Sequence, residues 1–129
     1  MQVSRAVDIA LRALIVLVDE SDRHNTIERL AAELDVPVRY LGKTVRQLAA
    51  LGWIETTRGK GGGIQVSEAG RAVSVAEVMR TLEENQPIVN CTTPMCPLLD
   101  TKCLLRGILF KANAAFMAPL ESVRIADLA

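Results

Sequence analysis

Cys91, Cys96 and Cys103 fall within thirteen residues of one another, spaced C-x4-C-x6-C, and they are the chain's three cysteines. An odd number of thiols in a chain that reads as cytosolic does not suit a structural disulfide framework. Pro87, Pro94 and Pro97 keep the segment from Gln86 to Lys102 out of a helix, so its thiols can converge where a helix would fan them apart. Zinc sites usually take cysteines in pairs two to four residues apart. The wider spacing here suits a loop wrapped around a larger object, such as an iron–sulfur cluster. Met95, Leu98 and Leu99 between the thiols would form an apolar shell that limits water access. Buried free cysteines, or a thiol switch without metal, remain the alternatives.

Three thiolates call for a fourth ligand. His24 is the one histidine, but it sits in the polar turn Asp22-Arg23-His24-Asn25 and reads as a surface residue. Asp8 lies between Val7 and Ile9, with Arg12 one helical turn later. A carboxylate among apolar neighbours needs a partner, and an Asp8–Arg12 ion pair on the helix surface would provide one.

The elements that must position these residues follow from periodicity. Val7, Ala10, Leu11, Leu14, Ile15 and Val18 recur at helical spacing behind Ser4, a plausible N-cap, and the acidic run Asp19-Glu20-Ser21-Asp22 ends that helix. Thr26 caps a short second helix through Ile27, Leu30, Ala31 and Leu34, and Asp35-Val36-Pro37 makes a turn. A third helix runs from about Val38 to Leu51, with Leu41, Val45, Leu48 and Leu51 inward and Gly52 as its stop. Strands are expected at Trp53–Thr57 and Ile64–Ser67, joined by the glycine-rich turn Arg58-Gly59-Lys60-Gly61-Gly62-Gly63. A further helix spans about Ser74 to Glu84, and a long one resumes at Leu104 with Leu105, Ile108, Leu109, Ala112, Ala115 and Phe116 apolar. Pro119 is expected to break it near Met117, with a last turn or two over Ser122 to Leu128.

Three helices followed by a hairpin with a basic tip make a winged helix-turn-helix. The fold class is therefore mainly α with a small β-hairpin, followed by a long C-terminal helix. Residues 1–72 form the DNA-binding region and residues 73–129 the cluster loop and dimerisation helix, with one core shared between them. Arg39, Tyr40, Lys43, Thr44, Arg46 and Gln47 lie off the apolar stripe of the third helix, free to meet phosphates and base edges. Arg58, Gly59 and Lys60 at the wing tip could enter a minor groove. A late, isolated amphipathic helix in a chain that already has a core suggests a subunit interface, hence a homodimer.

Charge and composition agree. Fifteen Lys+Arg balance fifteen Asp+Glu, yet residues 36–63 hold Arg39, Lys43, Arg46, Arg58 and Lys60 against Glu55 alone. Such a basic patch can engage phosphates at zero net charge. With 50% hydrophobic residues the chain is globular, and with 3% aromatics it offers no stacking platform for single strands. The longest apolar run, Ala13 to Val18, is far short of the roughly 20 residues that span a bilayer. A soluble cytoplasmic protein with no membrane association is expected. No catalytic constellation is present, so it is not read as an enzyme.

Three stretches together resemble a known family: Val7-Asp8-Ile9-Ala10-Leu11-Arg12-Ala13-Leu14, the wing Arg58-Gly59-Lys60-Gly61-Gly62-Gly63-Ile64, and the Cys91…Cys96…Cys103 loop. In that order they resemble the bacterial winged-helix iron–sulfur repressors, the NsrR/IscR family, over essentially the whole chain. Within the family, the chain is most similar to the nitric-oxide-sensing branch. That resemblance implies a [4Fe–4S] cluster held by Cys91, Cys96 and Cys103, with Asp8 supplied by the partner subunit and Arg12 beside the cluster. It also implies repression at a palindromic operator in double-stranded DNA, relieved when nitric oxide attacks the cluster. The iron–sulfur-assembly branch uses a histidine where this chain has Arg106. Six residues separate the last two cysteines where familiar members have five, which keeps a [2Fe–2S] cluster open. Repressors of the same family that sense iron–sulfur status, thiols or persulfides are the alternative function. An electron carrier or a zinc-stabilised interaction module would have no use for the basic helix and wing.

Overall fold

The computed structural model describes residues 3–84, 87–99 and 103–129. Helix α1 (Arg5–Asp19) is the centre of the molecule. Ser4 caps it, its hydroxyl accepting from the Val7 amide. Val7, Ile9, Ala10, Ala13, Leu14, Leu17 and Val18 are buried along it, a wider set than the single stripe expected. The cause is its surroundings: the segments Val38–Ala50, Ile64–Val66, Glu68–Ala72, Val75–Leu82 and Ile125–Leu128 all pack on α1, leaving one face with Arg5, Arg12 and Asp19 exposed.

Helix α2 (Ile27–Glu33) starts at Thr26, whose hydroxyl accepts from the Arg29 amide. Asp35 at φ 51° and Pro37 turn the chain into α3 (Val38–Ala50), with Leu41, Thr44, Val45 and Leu48 inward. Leu51, expected inward, is 38% exposed, because the helix has already ended. Gly52 takes φ +77°, a left-handed conformation in which a side chain would be strained. Strands β1 (Ile54–Thr56) and β2 (Ile64–Val66) pair antiparallel with Ile54 opposite Val66 and Thr56 opposite Ile64. They are shorter than the sequence suggests, since their outer residues turn away into caps and the wing.

Ser67 caps a one-turn helix, α4 (Glu68–Ala72), that periodicity did not reveal; five residues are too few to show a period. Ser74 caps α5 (Val75–Leu82). Helix α6 (Leu104–Glu121) continues through Pro119, correcting the expected break. The missing amide falls in the last turn, and Met117 and Leu120 hold that turn against the core. A closing 3-10 turn (Ile125–Leu128) follows, as expected. Its neighbours pair with the start of α5, the Val75 amide donating to Val123 O and the Ile125 amide to Val73 O, each within 3.0 Å. Ile125 is thereby fully buried. One apolar cluster runs from Val7 through the wing strands to Val78, Met117 and Ile125. No helix among the described residues is long and apolar enough to cross a membrane.

Candidate nucleic-acid interface and cysteine loop

Arg39, Lys43, Arg46 and Gln47 are all exposed on α3. Their spacing of four, three and one residues places them on one side of the helix, opposite Leu41, Val45 and Leu48. Thr44 does not belong with them. It is 8% exposed and its hydroxyl donates to the Tyr40 carbonyl at 3.3 Å, so it faces the core and is not free to meet a base. A threonine satisfied by the carbonyl one turn back is tolerated inside a helix, so the polarity of Thr44 does not mark an outward position, a correction to the expected DNA-facing set. Tyr40 is half-buried against the core, and the Arg5 guanidinium lies 5.8 Å from its ring centre. Arg5, not singled out from sequence, therefore joins the α3 surface.

The wing is built by hydrogen bonds from Thr57 N to Gly63 O and Gly62 N to Gly59 O. A β-carbon on Gly62 would come 2.1 Å from the Thr57 carbonyl oxygen, so only glycine fits there. Arg58, Gly59 and Lys60 are exposed at the tip. A cleft of about 340 Å³ joins the wing to the helices: Arg46 of α3, Thr26 and Glu28 at the start of α2, and Arg58 and Gly59 all line it. Arg46 and Arg58, twelve residues apart in sequence, thus share one concave surface. The wing is also tied to the corner before α2, the Ile64 amide donating to Asn25 O at 2.9 Å. Asn25 is 4% exposed and donates to the carbonyls of Glu20 and Arg23. His24 is exposed beside the wing.

The cysteine loop lies between α5 and α6. Cys91, Cys96 and Cys103 are free thiols, each half-buried. Thr92 and Met95 pair as an antiparallel bridge, and the Cys96 amide donates to Cys91 O at 2.9 Å. The Asn90 side chain braces this tight hairpin, accepting from the amides of Thr92 and Thr93 and donating to Thr93 O. Cys103 stands apart as the N-cap residue of α6, and its own side chain makes no cap hydrogen bond, so its sulfur is not spent there. Parts of the expected loop, residues 85–86 and 100–102, lie outside the described residues. Asp8 is half-buried on α1, its carboxylate accepting from Arg12 Nε at 2.9 Å, the ion pair expected on surface grounds.

As donors, three free thiols and a carboxylate suit iron. Within one chain they are not assembled: among the described residues no three Cys, His, Asp or Glu side chains stand close enough to hold a metal ion. Met95 and Leu98 are 71% and 56% exposed beside them. Exposure continues along α6, where Leu104, Leu105 and Ile108 are 63–80% exposed.

Residues 3–129 match the model of the Rrf2 family, described as an iron-dependent transcriptional regulator. The HTH-type transcriptional repressor NsrR of Streptomyces coelicolor is 34% identical over 131 residues, covering 99% of this chain and 88% of that protein. The HTH-type transcriptional regulator NsrR of Geobacillus kaustophilus is 35% identical over 133 residues, covering 99% and 89%. Among solved structures, CymR, the global cysteine regulator of B. subtilis, superposes with a TM-score of 0.82 at 21% identity, covering 100% of this chain and 96% of that one. T. potens IscR gives a TM-score of 0.75 at 19% identity, covering 99% and 85%. The structural likenesses establish a fold shared with these regulators, the winged-helix architecture expected from the element order. With the family model spanning nearly every residue, the chain belongs to the Rrf2 family of transcriptional regulators, and it is not an enzyme.

Proposed function

We propose that the protein is a homodimeric repressor that binds a palindromic operator in double-stranded DNA and releases it when nitric oxide reaches an iron–sulfur cluster. The observation that carries the DNA-binding part is the cleft that joins Arg46 on the exposed basic side of α3 to Arg58 on the wing. Arg39, Lys43, Arg46 and Gln47 enter a major groove, where arginine and glutamine reach base edges and lysine meets phosphate. Arg58, Gly59 and Lys60 follow the neighbouring minor groove. Tyr40 supports this face from a half-buried position, and Thr44 contributes packing only. Residues 1–72 form this head, and residues 73–129 carry sensing and pairing.

The exposed side of α6, with Leu104, Leu105 and Ile108, meets the same side of a second copy. The full-length similarity to NsrR proteins supports nitric oxide as the signal. Cys91, Cys96 and Cys103 hold the cluster, [4Fe–4S] in preference to [2Fe–2S], with Asp8 of the partner subunit as fourth ligand and Arg12 beside it. When bound, the cluster supplies iron that reacts with nitric oxide. With Asp8 as a ligand, α1 of one subunit would be tied to the cysteine loop of its partner. That tie fixes the span between the two α3 helices, which must be about 34 Å to meet successive major grooves. A coupling of about 1.4–2.7 kcal/mol changes operator affinity 10- to 100-fold. The protein acts in the cytoplasm, where the operator is.

Two measurements on anaerobic protein test this. Iron and acid-labile sulfide should be present in equal amounts, and Cys103→Ser should remove both. Asp8→Ala should retain the fold but lose the nitric-oxide response in an operator gel shift. Unchanged operator affinity and unchanged response in Asp8→Ala would remove Asp8 from the switch.

A further inference from the structure

Cys91 and Cys96 differ from Cys103 in a way that spacing did not show. The Thr92–Met95 bridge and the hydrogen bond from Cys96 N to Cys91 O make Cys91 and Cys96 directly opposed residues on the two arms of the hairpin. Opposed residues in a hydrogen-bonded antiparallel pair have α-carbons about 5.5 Å apart and side chains on the same face. That separation lies inside the 4.4–6.8 Å range of disulfides. Both thiols are free and half-buried, and Asn90 holds the hairpin closed. Cys103 belongs to another element, the start of α6.

We infer that Cys91 and Cys96 form a redox pair: in the metal-free chain they close an intrachain disulfide with a peroxide as oxidant, and Cys103 is left as a free thiol. One thiolate attacks the peroxide O–O bond, forming an S–O bond, and the departing hydroxide takes up a proton to become water. The opposed thiolate attacks that sulfur, the S–S bond forms, and the second oxygen leaves with a proton as water. Two thiols lose two electrons and one peroxide becomes two waters. The half-exposed bond is open to reduction by a dithiol, which makes the step reversible. A further consequence rests on the function proposed above: the closed pair occupies two of the three sulfurs that a cluster needs, so an oxidised chain cannot be loaded until it is reduced.

Trypsin separates the possibilities cleanly. With no lysine or arginine between Arg80 and Lys102, residues 81–102 carry Cys91 and Cys96 in one peptide, and residues 103–106 carry Cys103 in another. After hydrogen peroxide treatment of the metal-free, full-length protein, titratable thiols should fall from three to one. The 81–102 peptide should be lighter by two hydrogen atoms and Cys103 should remain alkylatable. Cys103→Ser should preserve this product, and Cys96→Ser should abolish it. Cross-linked 81–102 and 103–106 peptides, disulfides between chains, or separately oxygenated sulfurs would each overturn the pairing. Iron and sulfide uptake is then compared in oxidised and dithiothreitol-treated protein. Uptake only after reduction supports the loading block, and equal uptake in both overturns it. Uptake in neither state removes the iron–sulfur function, while the peptide map still decides the pair.

Discussion

Helices α1 and α6 are both long and rich in apolar residues, yet the chain treats them in opposite ways. Seven of the fifteen residues of α1 are buried, whereas α6, with eighteen, buries only Met117. Packing partners explain the difference better than composition. Five elements close around α1, while α6 lies against α5 along one side and leaves Leu104, Leu105 and Ile108 open. Apolar content marks a helix for burial somewhere, and only the surrounding topology says whether its own chain supplies the cover.

The sharpest way to break this contrast is to truncate one leucine from each helix. Leu14→Ala should lower the free energy of unfolding by about 2–5 kcal/mol in chemical denaturation followed by Trp53 fluorescence. Leu105→Ala, measured at high dilution, should stay within about 0.5 kcal/mol of the parent. Equal losses would mean that α6 is already covered within the monomer. At higher concentration the Leu105 effect should grow, because association adds to stability.

Ile108→Glu sharpens the same point. In the proposed twofold dimer each change occurs twice, so that dimer should weaken by about 3 kcal/mol, roughly two orders of magnitude, in sedimentation equilibrium. The thermal midpoint at high dilution should stay near the parent's. A smaller effect is expected at the DNA-reading face. Arg46→Ala should cost about 1–3 kcal/mol of operator affinity and relax specificity at the base it contacts, whereas Thr44→Val, changing a buried side chain, should leave base specificity unchanged. Smallest of all, Thr26→Ala should remove about 1 kcal/mol of stability with the loss of the α2 cap, read by thermal unfolding.

Legibility in the sequence follows the same division. The head was readable because its signals are local: Ser4, Thr26 and Gly52 mark helix ends, and the wing glycines mark the turn. Its errors were local too. Thr44 lies off the apolar stripe and so reads as outward, although a hydroxyl bonded to the Tyr40 carbonyl costs little inside. Five-residue α4 carries no period, and Pro119 reads as a helix breaker because the sequence does not show the core contacts that hold the final turn. The cysteine loop offered thiols and spacing, and these named a chemistry. The opposition of Cys91 and Cys96 depends on hairpin pairing, which no spacing encodes. Ile125 was equally opaque: its burial comes from backbone pairing with Val73, fifty-two residues earlier.

The bond from the Ile64 amide to the Asn25 carbonyl has a mechanical meaning. It rivets the β-ribbon to the corner that launches the helix-turn-helix, and Asn25 itself is locked from below by two carbonyls. Ribbon and reading helix therefore swing as one stiff jaw. In the proposed dimer, a signal that loosens the grip on DNA would therefore act on the gauge between two such jaws, not by bending either one.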